Sequence, residues 1–131
     1  MTSELTVLAL AAILLLIHVL LAGHFKTRQY STAWNIGPRD GEQPPLNPIA
    51  GRLDRARGNF LETFPLAIIA LIGVTVADRT SEITAIASWT WLGARVVYLP
   101  VYWAGIPVLR SVIWMVATLA LLVVLGALLL G

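Results

Sequence analysis

Three polar side chains stand at helical spacing where a long apolar run begins. Arg55, Asn59 and Glu62 occupy positions i, i+4 and i+7, and a helix advances about 100° per residue, so they share a stripe about 60° wide. Arg52 lies at the edge of this stripe, while Arg57 points away from it. Because guanidinium groups bind carboxylates and a carboxylate binds an ammonium group, such a stripe could hold a small zwitterionic ligand, for example a peptide.

The apolar run that follows Glu62 predicts a membrane helix or a deeply buried one. An ionisable side chain in that place is costly unless it is paired, and it therefore suggests a function. The alternative is an Arg55–Glu62 ion pair that orients helices and does nothing else. The stripe alone is compatible with both interpretations.

A second polar stripe lies in the next apolar segment. Tyr98 and Tyr102 follow Arg95 by three and seven residues. This spacing places all three side chains on one helix face. Arg95 lies well inside an apolar stretch and needs an anionic or strongly dipolar partner. Glu62 is the nearest candidate by chemistry.

Arg110 and Ser111 open the last apolar segment. The free N–H groups and the positive end of a helix also favour an anion at such a position. The alternative for Arg110 is a charge that sets topology and extends to the lipid headgroups. The sequence has no Ser-His-Asp set, carboxylate dyad or phosphate loop, so in an enzyme of this kind the nucleophile must arrive with the ligand.

The composition is that of an integral membrane protein. Of the 131 residues, 58% are hydrophobic and 12% are charged. No cysteine is present, which excludes a disulfide, a thiolate metal site and a cysteine nucleophile. With two histidines, His18 and His24, we expect no histidine-based metal centre. The basic residues are not massed as in a nucleic-acid surface.

The hydropathy pattern predicts an all-α membrane domain over residues 1–131, built as a four-transmembrane-helix bundle. The predicted helices cover about residues 5–23, 51–77, 83–103 and 108–130, with a proline-rich loop at about 24–50. Glu4 and the absence of an early basic residue favour a retained first helix over a signal peptide. Pro65 and Pro100 are expected to bend their helices, Ser81 to cap one, and Gly105-Ile106-Pro107 to form a tight turn.

Single residues within the predicted helices also carry expectations. His18 is expected to be a buried, neutral histidine bonded to a neighbouring helix, in preference to a ligand-binding one. Trp89, Trp91 and Trp103 are expected to anchor a helix at the membrane interface in preference to stacking on a ligand.

The distribution of basic residues predicts orientation. Six of them lie between the first two helices, and Arg110 is on the same side, whereas the opposite side offers only Arg79. The positive-inside rule then places the 24–50 loop in the cytoplasm and both termini outside it. The polar stripes converge toward the cytoplasmic half of the bundle.

The ordered set of motifs resembles that of the MAPEG family, the membrane-associated proteins of eicosanoid and glutathione metabolism. Within this family the chain resembles a bacterial-type member. The set comprises the Arg-x-x-x-Asn-x-x-Glu pattern from Arg55 to Glu62, the Arg-Val-Val-Tyr-x-x-x-Tyr block from Arg95, and the Arg110-Ser111 pair. Characterised members are trimers of four-helix subunits that bind glutathione between neighbouring subunits, toward the cytoplasmic side.

The resemblance implies roles for residues of this chain. It assigns Arg55, Asn59 and Glu62 to glutathione from one subunit, and Lys26 or Arg28 to a glutathione carboxylate. It also assigns five residues of helices three and four to glutathione: Arg95, Tyr98, Tyr102, Arg110 and Ser111. Arg110, helped by Ser111, would stabilise the thiolate. Gly58 and Trp114 stand where some eicosanoid-forming members carry arginine and tyrosine, and the turn before Arg110 is a residue shorter than in at least one branch. The resemblance therefore favours the thiol site over eicosanoid substrates.

Three functional hypotheses follow. The first is a membrane-bound, glutathione-dependent transferase or peroxidase acting on lipophilic electrophiles dissolved in the bilayer. The alternative is a non-catalytic membrane assembly subunit, or a small-anion binder of the same fold, in which the charges form ion pairs between subunits. A transporter is the third, and four spans without an inverted repeat of broken helices do not favour it.

Overall fold

The computed structural model describes all 131 residues and is entirely helical apart from its connections. Its helices are α1 (Ser3–Tyr30), α2 (Thr32–Ile36), α3 (Pro48–Val76), α4 (Glu82–Trp103) and α5 (Pro107–Leu130). Four of them are long, and α2 is a single short turn-and-a-half inside the polar segment that follows α1.

The first helix continues past its apolar run. The apolar residues end at Gly23, the predicted end of the helix, but α1 extends to Tyr30. Residues 24–30 contain neither proline nor glycine, so nothing in the backbone ends the helix when the side chains become polar. The helix stops at Ser31, whose φ of 107° is not helical, and the Ser31 side chain then caps α2.

The starts of α3 and α4 are set by side-chain caps. Asn47 accepts a hydrogen bond from the backbone N–H of Ala50 at 2.9 Å, and Pro48 occupies the first turn, where its missing donor costs nothing. The predicted Ser81 cap is confirmed: Ser81 and Thr84 form a reciprocal capping box. The predicted tight turn is confirmed as well, with Gly105 at a φ of 77° between α4 and α5.

The polar segment after α2 is tied back onto the end of α1. The Tyr30 hydroxyl donates to the carbonyl oxygen of Pro44 at 2.6 Å. The side-chain amide of Gln29 donates to the Pro45 carbonyl at 2.9 Å, and its oxygen accepts from the Asn47 N–H at 2.8 Å. These bonds give the proline-rich chain a defined path to the start of α3.

The helices pack as two pairs, α1 with α3 and α4 with α5, and the pairs face each other across a common core. The core is rich in alanine, which lets the helices approach closely. Trp91 is only 2% exposed and packs beside Phe60, with ring centroids 6.3 Å apart. The prediction that Trp91 anchors its helix at the membrane interface was therefore wrong. Trp89, in contrast, is 44% exposed.

A buried polar contact joins α1 and α4 at the end opposite the polar stripes. Glu4 is 2% exposed, and its carboxylate accepts a hydrogen bond from the Thr84 hydroxyl at 2.7 Å. Glu4 lies in the first turn of α1 and Thr84 in the first turn of α4, so the carboxylate is placed near the positive ends of two helices.

Three helices, α1, α3 and α5, are long and apolar enough to cross a membrane. Their outward faces carry large exposed apolar side chains such as Ile13, Ile69 and Leu119, as expected of helices that contact lipid. The fourth long helix, α4, is not among these three, and it contains Arg95 together with several Trp and Tyr residues.

Candidate functional site

Arg95 is buried at the centre of the bundle. It is 1% exposed, and its Nη1 donates to the Asn59 side-chain oxygen at 2.9 Å, which links α4 to α3. Its guanidinium carbon lies 4.4 Å from the Tyr98 ring centroid and 5.1 Å from that of Phe60. The prediction that Glu62 is its partner was wrong, because Glu62 is exposed and forms no ion pair within the chain.

His18, in α1, packs against Phe60, the same ring that lies beside Arg95. It is 1% exposed and its ring stacks on Phe60, with centroids 5.0 Å apart. It is buried, as predicted, but the expected hydrogen bond to a neighbouring helix is absent, since neither ring nitrogen has a partner in the subunit. Phe60 thus lies where α1, α3 and α4 meet.

A row of cation–aromatic contacts leads from Arg95 to the start of α5. Tyr98 and Tyr102 make an edge-to-face pair with centroids 5.5 Å apart. The Arg110 guanidinium carbon lies 4.8 Å from the Tyr102 ring centroid. The α4–α5 turn is short, so the first turn of α5 places Arg110 beside the last turn of α4.

Two cavities meet at Arg110. One has a volume of about 210 Å³ and is lined by Arg52, Arg55, Tyr102, Gly105, Ile106, Pro107 and Arg110. The other, about 200 Å³, is lined by Asn59, Tyr98, Arg110, Ser111, Trp114 and Met115. Arg110 is the one residue that lines both. The structure thereby brings together most of the residues that the sequence singled out.

The electrostatics of these cavities favour an anion. Arginines line them, and no Asp or Glu does. Ser111 is exposed, and its hydroxyl donates to the Pro107 carbonyl at 3.3 Å, a long bond that a stronger acceptor could displace. The structure contains no cluster of His, Cys, Asp and Glu that could hold a metal ion.

Arg52 has a structural contact that the sequence did not indicate. Its Nε donates to the Trp103 carbonyl at 2.9 Å, and a side-chain carbon at Gly105 would lie 3.4 Å from its guanidinium. Arg52 therefore fastens the α4–α5 turn to α3. A contact between an arginine and a carbonyl at the end of a distant helix leaves no pattern in the sequence.

Asp54 was missed by the sequence analysis. It accepts from Lys26 Nζ at 2.6 Å and from Arg57 Nη2 at 3.0 Å. The spacing of Asp54 and Arg57, three residues apart on a helix, was a readable signal for that pair, whereas nothing indicated the contact with Lys26. Lys26 therefore already has one carboxylate partner within the chain.

Arg28 lies apart from the other predicted site residues. It lines a third cavity, of about 480 Å³, together with Phe25, Gln29, Asn47, Pro48 and Ile49. This cavity shares no lining residue with the two cavities at Arg110. The structure therefore places Arg28 and Arg110 in separate cavities.

Comparison with models of known protein families gives a match over nearly the whole chain. The MAPEG family model matches residues 5–130 of the 131. No curated protein matches the chain. The family match extends over all five helices, and it agrees with the three helices that are long and apolar enough to cross a membrane. The chain therefore belongs to the MAPEG family and is a membrane protein.

Proposed function

We propose that the chain is a membrane-bound, glutathione-dependent transferase or peroxidase that acts on lipophilic electrophiles. The observation that carries this proposal is the position of Arg110, which lines both a polar cavity and a cavity between α3 and α5. The family supports a glutathione-related function. A guanidinium shared by two cavities can hold the thiolate of a ligand that occupies both while an electrophile approaches the sulfur.

The chain's residues would act on a thiol that the ligand brings. The Arg110 guanidinium, the free N–H groups at the start of α5 and the Ser111 hydroxyl all stabilise S⁻ more than S–H, so the bound thiol ionises below its usual pKa and releases its proton to solvent. The sulfur lone pair then forms a carbon–sulfur bond to the electrophile while the leaving group departs with the electrons of its own bond. With a hydroperoxide, two thiols would give a disulfide, an alcohol and water.

The remaining residues would bind and position glutathione. Arg55, with Arg52 beside it, would hold a carboxylate in the 210 Å³ cavity. Asn59, Tyr98 and Tyr102 would contact the peptide, and Arg95 would hold Asn59 in place through its 2.9 Å hydrogen bond. Glu62 would receive the ammonium group.

The assembly proposed from the family resemblance is a homotrimer of subunits that each cross the membrane four times, with α4 as the remaining span. Glu62 is exposed and unpaired in one subunit, which is costly inside a membrane unless a neighbour or a ligand meets it. A site between subunits would satisfy this carboxylate.

Calorimetric titration of the detergent-purified protein with glutathione tests the function. We expect saturable binding, an ultraviolet thiolate band, and conjugation of a generic apolar electrophile such as a chlorodinitrobenzene. The S-methyl analogue of glutathione serves as control: it should bind without producing a thiolate band. Absence of glutathione binding by the intact oligomer would contradict the proposal.

Glu62→Gln is expected to weaken glutathione binding about tenfold, because a charge-assisted hydrogen bond to the ligand ammonium is lost. The trimer should also dissociate at a lower detergent concentration, since the same carboxylate lies at the proposed subunit boundary. Calorimetry and native mass spectrometry measure the two effects, with Glu42→Gln in the exposed loop as control. If both quantities stay at their wild-type values, Glu62 contacts only water or headgroups.

Reporter fusions are expected to place the polar segment after α1 in the cytoplasm and both termini on the other side of a bacterial inner membrane. The physical reason is the group of six basic residues around this segment: two at the end of α1, one within the segment and three at the start of α3. A reporter that functions only outside the cytoplasm should be active when fused after Gly131 and inactive when inserted near Gly41. The reverse pattern would overturn this orientation.

A second candidate function is a non-catalytic assembly subunit or small-anion binder. It is favoured by one observation: Arg55 and Glu62 are both exposed and neither forms an ion pair within the subunit, so they are free to pair across an interface. Anion binding without any thiolate band would support this candidate over the enzyme.

A further inference from the structure

The 480 Å³ cavity beside Arg28 is not used by the proposed reaction. Its walls come from the end of α1 and from the start of α3. Phe25, Pro48 and Ile49 give it an apolar side, and Ile49 is 40% exposed. Arg28, Gln29 and Asn47 give it a polar side.

Two donor groups of this cavity are free in the structure. Arg28 is exposed and takes part in no ion pair or side-chain hydrogen bond. The Asn47 side-chain oxygen accepts the Ala50 N–H, which leaves the amide NH₂ of Asn47 without a partner. A guanidinium and an amide NH₂ both donate to phosphate oxygens.

The wall that carries these donors is held in place. Gln29 is bonded at once to the Pro45 carbonyl and the Asn47 N–H, at 2.9 and 2.8 Å, and Tyr30 holds Pro44. The segment from Pro44 to Asn47 therefore does not have to be ordered when a ligand binds, which lowers the entropic cost of binding.

The depth of the cavity in the membrane identifies the chemistry of its ligand. The apolar part of α1, residues 5–23, is about 28 Å long and so matches the hydrocarbon core. Phe25 and Arg28 then lie about 3 Å and 8 Å beyond that core, at the level of the lipid headgroups. A cationic donor at this level, above an apolar wall, is complementary to an amphiphile with an anionic head.

We propose that this cavity binds the headgroup of an anionic phospholipid, with its phosphate on Arg28 and Asn47 and its first acyl carbons along Phe25, Pro48 and Ile49. In the proposed orientation the site faces the cytoplasmic leaflet, which contains anionic lipids. Basic pockets between membrane helices recognise the headgroups of such lipids. Arg28 then has a different ligand from the peptide carboxylate that the family resemblance assigns to it.

Lipid binding in neutral-detergent micelles tests the proposal. Phosphatidylglycerol should bind about fivefold more tightly than phosphatidylcholine of the same chain length, the effect expected of one arginine near the surface. Arg28→Gln should abolish this preference and Arg28→Lys should keep most of it. Arg39→Gln is the matched control, because Arg39 lies outside the cavity in the same polar segment. Native mass spectrometry counts the bound lipids.

Two further arms separate the lipid from other anions. Inorganic phosphate should show no saturable binding at millimolar concentration, because it lacks the acyl chain; binding as tight as that of phosphatidylglycerol would overturn the lipid assignment. Glutathione should not displace the lipid. Displacement by glutathione, or a lipid preference that survives Arg28→Gln, would overturn the proposal while leaving the proposed thiol chemistry untouched.

Discussion

Arg110→Ala is expected to lower the rate of glutathione conjugation by about 10²–10³-fold, the usual cost of removing one preorganised group that stabilises a developing or full anion. Glutathione binding should fall far less, because Arg52 and Arg55 line the same cavity and remain. The largest expected change is in the fraction of bound thiol that is ionised at neutral pH.

The thiolate absorbance of the bound complex, followed against pH beside turnover, measures this effect. Ser111→Ala should reduce the thiolate fraction less than Arg110→Ala does, since it removes a neutral donor from the same first turn of α5. Arg110→Lys keeps the charge but loses the planar contact with Tyr102. Its thiolate fraction should therefore lie between those of Arg110→Ala and Ser111→Ala. A full thiolate band and a full rate in Arg110→Ala would show that Arg110 only sets topology.

Asn59→Ala is expected to lower the free energy of unfolding by about 3 kcal/mol, because it leaves a buried charge without its hydrogen-bond acceptor. Arg95 is 1% exposed, and two of its three guanidinium nitrogens already have no partner. The contact with Asn59 is its one hydrogen bond in the subunit.

Unfolding in mixed micelles by a denaturing detergent measures this loss. Asn59→Asp should retain most of the stability because a carboxylate can accept the same hydrogen bond. Thr63→Ala, one turn further along α3, is the matched control, since its hydroxyl bonds only to carbonyls of its own helix. An unchanged midpoint for Asn59→Ala would mean that a neighbouring subunit supplies Arg95 with a partner.

Much of the helical architecture could be read from the sequence because its signals are local. The capping box at Ser81 and the glycine-proline turn before α5 are set by residues within a few positions of one another. The end of α1 was different. Hydropathy reports where lipid contact ends, whereas the hydrogen-bonded backbone of α1 continues to Tyr30 and leaves the helical conformation at Ser31.

The composition of the candidate site was also largely visible, but its pairings were not. Helical spacing placed Arg55, Asn59 and Tyr102 on faces that do line the cavities. The partner of Arg95 depends on how α3 is rotated against α4, which spacing within one helix does not determine. An amide oxygen, weaker in charge than Glu62 but correctly placed, is the partner instead.

Arg110, which lines two cavities, resembles the cation of a phase-transfer catalyst. In such a system an ion and an oily reagent never share a solvent, and a single amphiphilic cation carries the anion to the surface between them. Here the cation does not move: Arg110 lines a cavity that holds Arg52 and Arg55, and it also lines a second cavity in which Asn59, Tyr98 and Ser111 lie beside Trp114 and Met115. Met115, 56% exposed, lies at the outer edge of the second cavity. In the proposed reaction, the thiolate of a water-soluble peptide and a membrane-dissolved electrophile would meet at this one fixed charge.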